Sequence, residues 1–463
     1  MDNFDYLNPI DYRYYGRDKK AVKEIGEFLS EEARIKYQAK VEAALAKALA
    51  KNKICSAKIA NEIVKACEKV KAEDVYAEED RIKHDVRALA NVIRNKVSKE
   101  AKPFVHFTAT SQDIIDTANS LRYKDFAEKV LLPDLVSLEK TLIKLALREK
   151  KTLQIGRTHG QHAEPITFGF AIASYVDRLG NCITNVKWKK EYLQGKFSGA
   201  VGAYNASSLV FSNPEKFEND VLKYLGLEPC YISTQIIQPE PLLNYLNAVN
   251  ACFGVLANLA DDMRNLQRSE INEIAEVFES KQVGSSTMPH KRNPINFENV
   301  KSFWKEYMPR VVTFYMDQIS EHQRDLTNSA SQRFIPEYLA GFDLTVRRLD
   351  KVMSRIVVDK ESMLWNFEKN ESSISAEPLY ILLAVHGHPD AHEKVRELTL
   401  ESAKKKINLF SLADNDKSLK PYLCKFTPKQ MSLIKDPKKY TGHAEKKTEK
   451  ICKYWQDKLK SVK

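Results

Sequence analysis

The sequence predicts an all-α protein organised round an elongated bundle of long helices. Glycine is scarce, 15 residues in 463, which disfavours folds that need many tight turns. Lys, Glu, Ala and Leu, all good helix formers, dominate the composition. Apolar residues recur at alternating spacings of three and four in three segments. Leu131, Leu135, Leu138, Leu142 and Leu145 form the first; Leu242, Leu246, Val249, Phe253, Leu256, Ala260 and Met263 the second; Leu339, Phe342, Val346, Leu349, Met353 and Ile356 the third. A period near 3.5 holds one stripe against a partner along a whole helix, as in bundles.

The chain is too long for one ordinary core, so it divides. Residues 1–112 read as an N-terminal helical domain, with Tyr37, Val41, Ala44, Leu45 and Ala48 on one face. The stretch 103–110 reads as an irregular connection into a central bundle domain, 113–363. Short pieces near 197–211 predict a hairpin. A helix over roughly 296–321 contains Pro309, which should kink it. Beyond 359 the pattern shortens, with turn signals at His388-Pro389, Asn415-Asp416 and Asp436-Pro437, so 364–463 reads as a small helical third domain.

The formal charge of +11 invites a nucleic-acid partner, but its distribution argues against one. The stretch 401–463 holds seventeen Lys, no Arg and seven acidic residues, a net of +10. A nucleic-acid platform would include Arg and interleaved aromatics, so this region reads as a solvated helical surface. Seven scattered Cys without a CxxC pair suit a reducing compartment and exclude a disulfide framework or zinc site. The first ten residues are acidic and lack a signal-peptide pattern, and no apolar run reaches about 18 residues. The expectation is a cytoplasmic protein without membrane or nucleic-acid partners. His386, His388 and His392 space like metal ligands, but no carboxylate or Cys completes a pattern, so no metal is expected.

The most informative string is Gly284-Ser285-Ser286-Thr287-Met288-Pro289-His290-Lys291-Arg292-Asn293-Pro294. Gly284, Ser285 and Ser286 form a flexible arm rich in backbone N–H donors. Asn293 and Pro294 read as N-cap and first position of a following helix, and Lys291 adds a cation. Donors, cation and helix dipole together suit an anion. The string, within a loop spanning 280–294, resembles the signature loop of the fumarase/aspartase superfamily. Its Pro-His-Lys-Arg-Asn-Pro version is similar to the adenylosuccinate lyase family and to its relatives, the carboxymuconate cycloisomerases.

Other segments match that family in the same order along the chain. Gly156-Arg157-Thr158-His159-Gly160-Gln161-His162-Ala163-Glu164-Pro165 offers two His and an acid. By the resemblance, His159 is the general acid, supported by His162 and Glu164. Thr108-Ala109-Thr110-Ser111-Gln112-Asp113 clusters hydroxyls before a helix, where they can cap it or hold a carboxylate. The resemblance implicates Thr110 and Ser111 in binding succinyl carboxylates, while Gln112 looks more like the cycloisomerase version. Arg13-Tyr14 and the stretch containing Arg324, Ser329 and Arg333 resemble phosphate-gripping segments, a task suited to the planar guanidinium fork. Lys83-His84-Asp85 resembles a family Arg-His-Asp at the substrate. Gln235 and Glu298 match further polar contacts.

The resemblance implies a three-domain, bundle-centred fold and β-elimination of fumarate from succinylated purine nucleotides: adenylosuccinate, giving AMP, and SAICAR, the earlier succinylated carboxamide intermediate, giving AICAR. Ser285 is the implied base, His159 the proton donor, and Lys291 and Asn293 the stabilisers of a doubly charged carboxylate. It implies no cofactor, and a homotetramer whose sites draw on several subunits. The alternatives are a cycloisomerase of the same superfamily and a catalytically silent helical scaffold.

Overall fold

Short polar residues at helix starts set the first elements in the computed structural model, which describes residues 7–369 and 371–460. Asp18 accepts from the Lys20 and Ala21 amides and starts α1 (Lys19–Leu29). Ser30 ends α1 and caps α2 (Glu31–Lys51); Ser56 caps α3 (Ala57–Cys67). After α4 (Ala72–Ile82), Lys83 turns left-handed at φ 59° and His84 caps α5 (Asp85–Arg94). Tyr37, Val41, Ala44, Leu45 and Ala48 are buried along α2, on the expected face.

The bundle follows. α6 (Ser111–Phe126) passes through a π-helical turn into α7 (Leu132–Arg148), followed by α8 (Phe168–Lys190) and α9 (Pro214–Lys223). α10 (Glu240–Leu266) is the longest helix. α11 (Ile295–Tyr307), α12 (Arg310–Met316) and α13 (Ile335–Met353) complete the set. α7 packs on α8 and α13, α8 on α10, and α10 on α11. All three predicted stripes face this core; Leu135, Leu142, Val249, Phe253, Leu256, Leu339 and Val346 are fully buried. Only α10 is long and apolar enough to cross a membrane among the described residues, and it lies within the bundle.

At Pro309, which supplies no N–H, the hydrogen-bond ladder is interrupted between α11 and α12 as expected, while Met308 and Pro309 keep right-handed helical dihedrals. One local expectation fails. The 197–211 stretch holds turns and a short 3-10 segment rather than a hairpin. The hairpin lies at β1 (Leu153–Thr158) and β2 (Gln161–Thr167), a segment carrying both histidines. A second, minimal sheet pairs β3 (Ile274–Ala275) with β4 (Val357–Val358).

Beyond β4 come α14 (Lys360–Glu368), α15 (Glu371–Ile374), α16 (Ala376–Val385), α17 (Ala391–Lys405), α18 (Leu409–Asn415), α19 (Lys420–Leu423) and α20 (Pro428–Lys435). Leu379, Leu383, Val395, Leu398 and Leu409 belong to a second core there. His386, His388 and His392 pack against Phe426, Tyr422 and Tyr380 respectively. The last helix, α21 (Ala444–Leu459), returns to the bundle and packs on α8. The Trp455 ring covers Gly180, where a Cβ would stand 2.3 Å from it, and its indole N–H donates to Asp177 at 2.9 Å.

Glu139, on α7, is fully buried with no partner for either carboxylate oxygen. Burial and the nearby Asp177 charge push its pKa up to about 9. The folded chain keeps a proton that the unfolded chain releases near pH 4.5, so the stability tied to it fades as pH rises toward 9. Its contribution to the slope is at most about 1.4 kcal/mol per pH unit. Glu139→Gln should flatten that slope, measured by urea unfolding at about pH 6 and about pH 8.

Candidate active site

The signature loop closes on itself at its neck. Asn293 Nδ2 donates to the Gly284 carbonyl at 2.9 Å, and a Cβ at Gly284 would lie 1.8 Å from the Lys291 carbonyl oxygen. Only glycine permits that approach. Ser285 Oγ accepts from the Met288 amide at 3.0 Å and the Thr287 amide at 3.3 Å. Two donors on one hydroxyl oxygen favour its deprotonated form. Lys291 is exposed beyond them.

The helix after the loop departs from expectation. Asn293 does not cap it; α11 begins at Ile295, and Asn293 is turned back to Gly284. Glu276 fills the helix start instead. Its Oε1 accepts from the Asn296 amide at 2.9 Å and the Phe297 amide at 3.0 Å, and its Oε2 from Asn296 Nδ2 at 2.6 Å. The protein's own carboxylate therefore occupies the helix-end anion site that the sequence offered to substrate.

His159 sits at the tip of the β1–β2 hairpin, exposed, with a left-handed φ of 55°. The hairpin is anchored at its root by buried Glu273, which accepts from Gln154 Nε2 at 2.8 Å, Arg157 Nη2 at 2.5 Å and Asn366 Nδ2 at 3.0 Å. Gly160 and His162 share a 700 Å³ cavity with Leu266 and Arg268 at the end of α10. Burial, then Arg157, lowers the His162 pKa. Glu164, beside Glu377, is held up at about 7 because the two carboxyls share a hydrogen bond.

The end of α10 gathers several predicted groups. Gln267, just past it, donates to the Arg292 carbonyl in the signature loop. Tyr14 packs edge-on against Phe303 at 4.6 Å and shares a 410 Å³ cavity with Val283 and Arg348; Arg13 precedes it in the same helical turn. Glu298 and Lys301, one turn apart on α11, share a cavity with Arg264 of α10.

The start of α10 gathers the rest. Gln112 donates to Asp116 at 2.7 Å and accepts from Arg324 Nη2 at 2.8 Å. Arg324 also donates to Gln235 Oε1 at 3.4 Å. Gln112, the departure from the family pattern, thus holds the predicted phosphate-binding arginine. The Thr110 amide donates to Asp113 Oδ2 at 2.8 Å, so Thr110 and Ser111 sit at the first turn of α6. Ser329 and Arg333 flank Asn328 and Gln332, which line a cavity with Ile237 and Pro239. His84 accepts from the Arg87 amide at 3.3 Å and stands 3.6 Å from Asp85.

Sequence reading passed over His106. Its Nδ1 lies 2.6 Å from Glu42 Oε1, and its backbone is left-handed at φ 60°. Burial pulls its pKa down, but the Glu42 carboxylate outweighs burial and holds it above the ordinary value. Asp113 and Arg87 also act on it, which puts this imidazole beside the Thr110 and His84 segments. The one available signal was its place four residues before Thr110.

α10 has 27 residues and so spans about 40 Å. His84, Thr110, Ser111, Gln235, Arg324, Ser329 and Arg333 lie toward its start; His159, Ser285, Lys291, Asn293 and Tyr14 toward its end. Among the described residues no hydrogen bond or ion pair joins His159, Ser285 and Lys291 to one another.

Beneath the first group lies a fully buried ion pair, Lys196 with Asp113. Lys196 Nζ also donates to the Gly199 carbonyl at 3.2 Å. Lys196→Met leaves the Asp113 charge buried without its cation and should cost about 3–5 kcal/mol in urea unfolding.

The fold is shared with solved structures. The structure matches 3-carboxy-cis,cis-muconate lactonizing enzyme from Pseudomonas putida with a TM-score of 0.84 and 23% identity, covering 97% of this chain and 99% of that one. It matches a Mesorhizobium fumarate lyase at 0.81 and 21%, covering 93% and 97%. Fold and signature loop define a lyase of the fumarase/aspartase superfamily, and the family model described as Lyase matches residues 13–305. A model described as Adenylosuccinate lyase C-terminal matches residues 320–431. Adenylosuccinate lyase of Pyrococcus horikoshii is 35% identical over 459 residues, 97% of this chain and 98% of the relative. That of Archaeoglobus fulgidus is 34% identical over 458 residues, 98% and 100%. The chain belongs to the adenylosuccinate lyase family.

Proposed function

We propose that this protein is a carbon–nitrogen lyase that eliminates fumarate from adenylosuccinate, giving AMP, and from SAICAR, giving AICAR. The observation that carries the reading is the signature loop. Its neck is pinned by Asn293 and Gly284, its Ser285 oxygen is held by two amides, and its Lys291 is presented to solvent. In a member of this family, those features match the demands of the reaction.

The step that needs help is removal of a proton from the carbon beside a carboxylate, which gathers two negative charges on that group. Ser285 takes the proton as its alkoxide, a form that the two amide donors make accessible and that exclusion of water on loop closure leaves reactive. Lys291 and Asn293 stabilise the doubly charged carboxylate. The carbon–nitrogen bond then breaks, fumarate forms, and His159 delivers a proton to the departing nitrogen. Thr110 and Ser111 hold succinyl carboxylates, with Gln235, Glu298, His84 and Asp85 as further contacts. Arg13, Tyr14, Arg324, Ser329 and Arg333 hold the nucleotide phosphate, and Arg suits it by bonding two oxygens at once.

The roughly 40 Å between the two groups favours a site assembled from neighbouring copies, as in a homotetramer. A cytoplasmic setting agrees with seven free cysteines. The test is incubation with adenylosuccinate while following ultraviolet absorbance. Loss of the succinyl group and release of fumarate are expected. An unchanged spectrum from folded, oligomeric protein would overturn the reading in favour of a silent scaffold or a cycloisomerase.

A further inference from the structure

We propose that Gln267 and Glu276 are positioning residues that latch both flanks of the signature loop to the end of α10, and that the latch extends through Asn296 and Arg348 to the Arg13–Tyr14 segment. The catalytic half of this inference rests on the lyase reading above; the mechanical half does not.

Gln267 is one side chain with two contacts on opposite sides of the loop. Its Oε1 accepts from the Glu276 amide at 3.0 Å, ahead of the loop, and its Nε2 donates to the Arg292 carbonyl at 3.4 Å, behind it. The second bond is long for an N–H···O contact, so it is a hold that yields easily. A loop that must move to exclude water needs such an attachment: enough to set the resting geometry, too little to resist closure.

Glu276 is the fixed side of the latch. Three donors converge on its buried carboxylate, two from the α11 backbone and one from Asn296. Asn296 passes the connection on, since its Oδ1 accepts from Arg348 Nη1 at 2.9 Å. Arg348, Tyr14, Gln282 and Asn296 line one cavity. An unbroken chain of polar contacts therefore leads from the Arg292 carbonyl, next to Lys291, to the wall of that cavity. An anion seated beside Arg13 and Tyr14 would pull on the same frame that orients Lys291.

The chain itself supplies a probe, because Lys291 and Arg292 are exposed trypsin sites inside the loop. Gln267→Leu removes both contacts at similar volume. Gln267→Glu keeps the acceptor for the Glu276 amide and loses only the donor to Arg292. In the full-length protein, Gln267→Glu should be nicked at 291–292 about fivefold faster than wild type, the factor for one lost hydrogen bond, and Gln267→Leu, which loses two, faster still. With adenylosuccinate, kcat should fall by about tenfold or more while KM stays within about twofold, because the loop is misaligned rather than substrate released. The thermal midpoint should stay at the wild-type value. Wild-type nicking rates in both variants would overturn the latch, as would a fall in kcat/KM carried wholly by KM. If wild type leaves adenylosuccinate untouched, the substrate reading fails, and the nicking rates still decide the latch.

Discussion

Mixed in equal amounts, dissociated and reassembled, an Arg324→Ala chain and a Lys291→Ala chain should recover about one quarter of wild-type activity, though each alone is nearly inactive. The reasoning is geometric. Arg324 lies near the start of α10, bonded to Gln235, and Lys291 lies in the loop that leans on Gln267 at its end. One helix of about 40 Å separates them, far beyond the reach of any substrate of nucleotide size. If each site takes one group from one copy and the other group from a second, random assembly leaves about one site in four with both intact. Sites formed within single chains would give no recovery, since every chain carries one defect. The readout is fumarate release after reassembly, compared with each variant treated alone.

The second large effect is expected at Ser285. Ser285→Ala should lower kcat by about 10²- to 10⁴-fold, the range for loss of a positioned base. The fold should be untouched, because the hydroxyl is held only by amides two and three residues ahead in its own loop. Substrate binding should survive, since the phosphate-gripping Arg324 and Arg333 lie toward the other end of α10. Single-turnover absorbance with adenylosuccinate, beside light scattering for the oligomer, separates chemistry from assembly. A kcat within about tenfold of wild type would remove Ser285 from the role of base.

The bundle was legible because its signal is repeated. Each stripe, such as Leu246, Val249, Phe253 and Leu256, states the same period several times, and all four residues are buried. The reactive segments were legible for a different reason: their strings match a family, and the structure sets them at helix starts, a hairpin tip and a closed loop. What was hidden depends on partners distant in sequence. Glu276 reads as an ordinary acid until α11 is laid against it. Asn293 looks like a cap because Asn-Pro before a helix usually is one, and only the approach of Gly284 turns it away. The β1–β2 hairpin was masked by its chemistry, since histidines and glycines at its tip suggest a loop.

The two-residue strand β3 carries a further implication. Glu273 and Glu276 bracket it three positions apart, an odd offset that turns the two carboxylates to opposite faces of an extended chain. One roots the tip that bears His159; the other roots the arm that bears Lys291. A single inserted residue would make that offset even and put both acids on one side. One of the two reactive segments would lose its mooring, so a single-residue insertion in this stretch should disable the site even though none of its atoms need touch substrate.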